Sequence, residues 1–244
     1  MLNKNKNKII LILFLVIILG ITIYLNFNLC YEKFDNKFDN IIDKFVYYDE
    51  NNNKINHKKV ELEEQSDAFH YIDKDDAVLE LGGRYGTVSN MIAYKQENSG
   101  KLVVIEPDKN IIEALKKNKE INNGNFIILN KFISNKNKSI EYNGYSTLIK
   151  DDDSNKKNEF QISYDDFKKE YPLKFNVLVA DCEGCLYDFI EMIGDDIHNY
   201  NKILFEADQG HMCDYDAIIN KLLNSGFKKV KSHFNEVTRY VFIK

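Results

Sequence analysis

The stretch Val78-Leu79-Glu80-Leu81-Gly82-Gly83-Arg84-Tyr85-Gly86 runs from an apolar strand through a glycine turn into a helix that begins near Thr87. Gly82 and Gly83 let the backbone turn sharply and approach a ligand, and Gly86 lets the helix start close to the strand. A helix opening there points its N–H groups at the turn, where a ligand carboxylate is favoured. The dinucleotide pattern G-x-G-x-x-G needs glycine at positions 82, 84 and 87, but Arg84 and Thr87 occupy the last two. NAD therefore fits poorly. An acid followed by a short glycine turn suits a nucleoside without a pyrophosphate, although a Gly-Gly pair after a strand is also an ordinary tight turn.

The flanking sequence repeats the same theme. Leu102–Ile105 is a second apolar strand, and it ends in Glu106, 20 residues after Gly86. At that spacing an acidic side chain accepts hydrogen bonds from both ribose hydroxyls. Further strands are expected at Phe126–Leu129, Phe175–Ala180 and Ile203–Ala207, with helices at Thr87–Lys95, Asp108–Ile121, Leu186–Ile193 and Tyr215–Asn224. Gly194 and Gly226 stand where helices end. Strands alternating with helices imply an α/β fold with a parallel sheet covered on both faces. Phe227–Phe234 and Glu236–Ile243 meet at Asn235 and suggest an antiparallel C-terminal hairpin at one edge. Residues 134–160 carry weak strand signals and are expected to form a short insertion over the strand ends.

The ends of the next two strands are polar as well: Asp181-Cys182-Glu183-Gly184, and Glu206-Ala207-Asp208 with His211 close behind. Taken in order, VLELGGRYGTVS (Val78–Ser89), VVIEPDKNIIEALKKNKEINN, NFIILNKFIS, FQISYDDF, LVADCEGCLYDFI, ILFEA and LLNSGF span about 150 residues and resemble the FkbM family of methyltransferases. That resemblance implies the seven-stranded, mostly parallel, Rossmann-like sheet of class I methyltransferases. It also implies O-methylation with S-adenosylmethionine as cofactor. Carried over by position, Glu80, Gly82, Gly83, Gly86 and Glu106 would contact the cofactor. The family usually has a small residue and Asn where this chain has Gly83 and Arg84.

Methyl transfer is an in-line displacement, so the protein chiefly aligns acceptor, methyl and sulfur. A hydroxyl acceptor must also lose its proton to a positioned carboxylate or His. Asp181, Glu183, Glu206 and His211 are the candidate catalytic residues. For Glu183 the ordinary alternative is capping of the following helix, and a lone loop His is more often structural or solvated. Cys182-x-x-Cys185 and His211-x-Cys213 sit at neighbouring strand ends and offer a zinc set in principle. No second C-x-x-C supports it, and no metal site is assigned. A disulfide framework is not implied by 4 cysteines in a domain this large.

Ile9–Leu25 runs for 17 residues without a charge, near the lower limit of about 17 for a membrane-spanning helix. The expectation is a single-pass N-terminal anchor over residues 1–30, with membrane contact through 9–25, then a helical stalk and lead-in over 31–75. The methyltransferase-like domain follows over 76–244. Tyr31, Phe34, Phe38, Ile41, Ile42 and Phe45 form an amphipathic stripe in the stalk. Lys4, Lys6 and Lys8 lie closest to the apolar run and favour an N-in anchor with the domain beyond the membrane. That placement conflicts with a cytosolic cofactor, so the side of the membrane is left open. Net charge is −5 and the pI about 5.6, from which no nucleic-acid partner is expected. The acceptor expected on these grounds is a hydroxyl of a sugar, glycan or lipid-linked molecule. The alternative function is a membrane-displayed, catalytically degenerate methyltransferase fold serving as a binding or structural module.

Overall fold

The computed structural model describes residues 16–21, 37–143, 146–154, 158–235 and 237–244. Contacts divide the chain into Met1–Phe45 and Val46–Lys244. In the first unit residues 16–21 and 37–42 are helical. The expected membrane segment, 9–25, lies mostly outside the described residues. Among those described, no helix is long and apolar enough to cross a membrane.

The second unit is an α/β sandwich. Its strands are β1 (Val78–Leu81), β2 (Leu102–Ile105), β3 (Ile127–Leu129), β4 (Phe132–Ile133), β5 (Lys138–Asn143), β6 (Ser146–Asp151), β7 (Gln161–Ile162), β8 (Val177–Ala180), β9 (Lys202–Ala207), β10 (Lys228–Asn235) and β11 (Val237–Ile243). Its helices are α1 (Leu62–Tyr71), α2 (Thr87–Lys95), α3 (Ile112–Ile121), α4 (Tyr164–Glu170), α5 (Leu186–Ile193) and α6 (Tyr215–Asn224), with a 3-10 segment at Gly194–Asn199. Seven strands form the main sheet in the order β10-β11-β9-β8-β1-β2-β3. The five from β9 to β3 are parallel, whereas β11 runs antiparallel to both β9 and β10. The expected antiparallel C-terminal hairpin is present at one edge; its last strand lies inside and β10 forms the edge. The weakly patterned insertion folds as the antiparallel hairpin β5–β6.

The sheet's period of two fixes the core. Leu79, Leu81, Val103, Ile105, Leu178, Ala180, Ile203 and Phe205 belong to one buried cluster with Phe189, Ile190 and Ile193 of α5 and Ile218 and Leu222 of α6. The alternate residues Val78, Leu102, Val104, Val177 and Val179 are buried too, as expected of parallel strands covered on both faces. Helix α3 starts later than its apolar pattern suggests. Asp108 Oδ1 accepts from the backbone N–H of Asn110 at 2.8 Å, which closes a turn ahead of Ile112.

Residues 46–75, read in the sequence as stalk and lead-in, pack within the second unit. The buried side chain of Asn118 accepts from Tyr48 N at 2.9 Å and donates to Tyr48 O at 2.8 Å. Asn122 repeats this with Val46 at 2.9 and 2.8 Å. Two asparagine amides thus stand in for a neighbouring strand and satisfy a backbone that would otherwise lose its partners on burial. At the far side Arg239 and Lys231 of the terminal hairpin pair with Glu64 and Asp67 of α1.

Gly82 has φ +91°, and a Cβ added to it would overlap the backbone carbonyl oxygen of Asp181. Gly210 has open space around the same position. Gly82→Ala is expected to lower stability by about 3 kcal/mol from the combined clash and left-handed backbone. Gly210→Ala is expected to change it by less than about 0.5 kcal/mol. Urea unfolding of the two variants checks the contrast.

Candidate functional site

The carboxyl ends of β1, β2, β8 and β9 open into one cavity of about 810 Å³. Its floor is the glycine turn after β1. Glu106, at the end of β2, reaches that turn directly: Gly83 N and Arg84 N donate to its Oε2 at 3.2 and 2.7 Å. The N–H of Asp108 donates to Oε1 at 2.7 Å. The turn and the acid, 22 to 23 residues apart in sequence, are thus one structural unit. A carboxylate offers about four lone-pair sites, so three backbone donors leave room for a further hydroxyl. Burial pushes the Glu106 carboxyl up to about 6, against the opposing pull of the Asp108 and Arg84 N–H groups.

The other predicted cofactor residues divide. Glu80, Gly82 and Gly83 line the cavity, whereas Gly86 does not. Gly86 caps α2 at φ +78°, and a Cβ there would come within 2.8 Å of Leu115 Cδ1. Glycine at 82 and 83 is required by protein neighbours, the Asp181 carbonyl and the Val104 side chain. Glu80 is 1% exposed and its Oε2 has no hydrogen-bond partner among the described residues. Burial, with the nearby Glu61 and Glu106, pushes its carboxyl up to about 8.

Asp181, Glu183, Glu206 and His211, the predicted catalytic residues, all line the same cavity. Burial and the surrounding acids Glu61 and Asp208 hold the Asp181 carboxyl well above the usual carboxylate range. Glu206 is raised by burial, by a hydrogen bond with Glu64 and by the charge of Asp181. That rise occurs although Arg239 Nη2 lies 3.0 Å from its Oε2. Glu183 is a positive-φ residue whose Oε2 accepts from Gln209 Nε2 at 2.6 Å. It holds the β9–α6 loop and does not cap α5.

Sequence reasoning missed Glu61, Glu64 and Arg239, which also line the cavity. Glu61 accepts from the Thr87 hydroxyl, and burial raises its carboxyl to about 7. No motif marks these residues: the two acids precede or open an acidic helix, and the arginine lies in a terminal strand. The sequence assigned no role to Cys182 and Cys185, and the two are joined by a disulfide. Their Cα atoms meet across a two-residue turn, so the bond is local and not part of a framework. Among the described residues no group of three or more His, Cys, Asp or Glu is placed to hold a metal ion.

No family model matches the chain, and no curated protein matches it. Solved structures are similar in fold. Precorrin-6y C5,15-methyltransferase from Geobacter metallireducens gives a TM-score of 0.48 at 11% identity, covering 78% of this chain and 89% of that one. The Methanococcus jannaschii fibrillarin pre-rRNA processing protein gives 0.48 at 16% identity, covering 78% and 76%. An rRNA methylase from Streptococcus thermophilus gives 0.47 at 8% identity, covering 74% and 93%. These likenesses correct one expectation. Proteins named for rRNA stand among the chain's structural neighbours, so neither the exclusion of nucleic acid nor the glycan acceptor is carried forward. A net charge of −5 averages the whole chain and does not describe one face.

The raised carboxyls set a pH dependence. Glu106, Glu61 and Glu80 move from an ordinary value of 4.5 to about 6, 7 and 8. Between those limits the folded state holds more protons than the unfolded one. Stability is therefore full below pH 4.5 with respect to these groups and falls as pH rises towards 8. Melting temperature is expected to drop across that window, and Glu80→Gln is expected to flatten its upper part.

Proposed function

We propose that the cavity binds S-adenosylmethionine and that the protein transfers the methyl group to an acceptor hydroxyl, the activity implied by the FkbM resemblance. The observation that carries this reading is the direct bonding of the glycine turn to Glu106 at the mouth of two parallel strands. The donor set also fits. The lone pairs that three backbone donors leave on Glu106 suit a ribose diol, and the orphaned, buried Oε2 of Glu80 suits an ammonium group. More acids than cations line the cavity, which favours a ligand bearing positive charge. When bound, the cofactor supplies an electrophilic methyl on a sulfonium.

The chain's own residues then have separable tasks. Glu106 and Glu80 orient the donor from the β1–β2 side. Asp181, on the adjacent strand end and lining the cavity, is the group that takes the acceptor hydroxyl's proton in this reading. Glu206, fixed by Arg239, borders the same space. A cationic ligand opposes the desolvation that keeps these carboxyls protonated and returns them towards the ionised form that accepts a proton.

Binding of labelled S-adenosylmethionine to the full chain tests the reading, and an unmodified protein that binds none ends it. Glu106→Gln, with its fold checked by circular dichroism, is expected to weaken binding roughly tenfold, equivalent to about 1.5 kcal/mol from a charge-assisted hydrogen bond. Acceptors can be sought by following labelled methyl into fractionated extract. With an acceptor in hand, Asp181→Asn is expected to lower kcat by about 10²–10⁴-fold while leaving cofactor affinity within about twofold.

A further inference from the structure

The segment Asp181-Cys182-Glu183-Gly184-Cys185 joins β8 to α5 and is closed on itself by the Cys182–Cys185 disulfide. Cys185 N donates to Cys182 O at 3.2 Å across the same turn. Its two central residues both have left-handed backbones, Glu183 at φ 52° and Gly184 at φ 88°. A non-glycine residue there is strained and persists only where its surroundings hold it. Glu183 is held by Gln209, and a Cβ on Gly184 would lie 3.2 to 3.9 Å from Gln209, Met212 and Cys213. The closed turn therefore ties Asp181 to the loop that carries His211.

The bond adds less to folding than a long-range disulfide would. Restraint of the unfolded chain grows with the logarithm of the loop closed, and this loop is a short one. Helix α5 is already anchored by Leu186, Phe189, Ile190 and Ile193, all buried. Access also separates this pair from the third described cysteine. Cys182 and Cys185 are partly exposed and line the cavity, whereas Cys213 is free and 3% exposed.

We propose that Cys182–Cys185 is a reversible disulfide–dithiol site, reduced by a small thiol of the glutathione or dithiothreitol class, whose state sets the geometry of the acceptor end of the cavity. The thiolate of the reductant attacks Cys182 Sγ, the Cys182–Cys185 bond breaks, and Cys185 leaves as a thiolate. Cys185 is the N-cap residue of α5, where the N–H groups of the first turn stabilise a negative charge. A second thiolate attacks the reductant's sulfur in the mixed disulfide and forms the oxidised reductant. The protein gains two electrons and two protons, and both cysteines end as thiols. Released from its cross-link, the turn relaxes at Glu183, and Asp181 loses its fixed position beside the His211 loop. The consequence for the cavity rests on the methyl-donor reading, whereas the thiol chemistry does not.

The test uses the folded full chain. Dithiothreitol treatment followed by alkylation without denaturant and peptide mass mapping is expected to label Cys182 and Cys185 but not Cys213. Oxidised glutathione is expected to restore the bond. S-adenosylmethionine affinity or kcat is expected to differ by about fivefold or more between the two states, the lower range of coupling between linked sites. Cys182→Ser/Cys185→Ser is expected to match the reduced protein and to ignore dithiothreitol; the wild-type comparison stands if that variant does not fold. A pair that resists reduction in the folded state, or that reacts only together with Cys213, overturns the proposal. So does identical cofactor binding and turnover in both states. Absence of cofactor binding in both states, with labelling reversible, overturns the coupling and the methyl-donor reading together.

Discussion

The backbone N–H groups of Gly83 and Arg84 and the carboxylate of Glu106 form the joint on which the site depends. Each side of it satisfies the other. The sharp turn after β1 leaves amide donors that no strand or helix can pair, and the acid leaving β2 is buried where an unpartnered carboxylate would be costly. Their union holds two adjacent strand ends in register and fixes the floor of the cavity. The N–H of Asp108 completes it and starts the turn that leads into α3.

Around that joint the cavity concentrates negative charge at low exposure. Buried acids without matching cations raise one another's proton affinity, and here Glu80, Glu106, Glu61, Asp181 and Glu206 all shift upward. Such an arrangement is poor for stability and is typical of functional sites. Arg239 offsets part of it by spanning Glu64 and Glu206. In this way the last strand of the chain and the helix before the sheet are both drawn into one electrostatic network.

The β8 end is built differently. Where the β1 turn uses glycine because protein backbone crowds it, the β8 turn uses a covalent link and one left-handed Glu. Its neighbours come from the β9–α6 loop. The β1–β2 side and the β8 side of the cavity therefore have separate structural supports, one through packing around glycine and one through a short disulfide.

The sequence by itself determined the order of the main-sheet strands and of α2, α3, α5 and α6, the open ends at Glu80–Gly86, Glu106, Asp181 and Glu206, and the presence of a C-terminal hairpin. Those features are written in local patterns: apolar runs of strand length, three- and four-residue periodicity, and glycine where φ is positive. Tertiary structure alone decided that β11 lies inside β10, because pairing with β9 depends on contacts about 35 residues apart. It alone brought Glu61, Glu64 and Arg239 to the cavity, since an acid on a lead-in helix looks like any solvated charge until the sheet turns it inward. The Cys182–Cys185 bond was equally illegible. Spacing permits a C-x-x-C to bind metal, stay reduced or close, and only the backbone at Glu183 and Gly184 places the two sulfurs together.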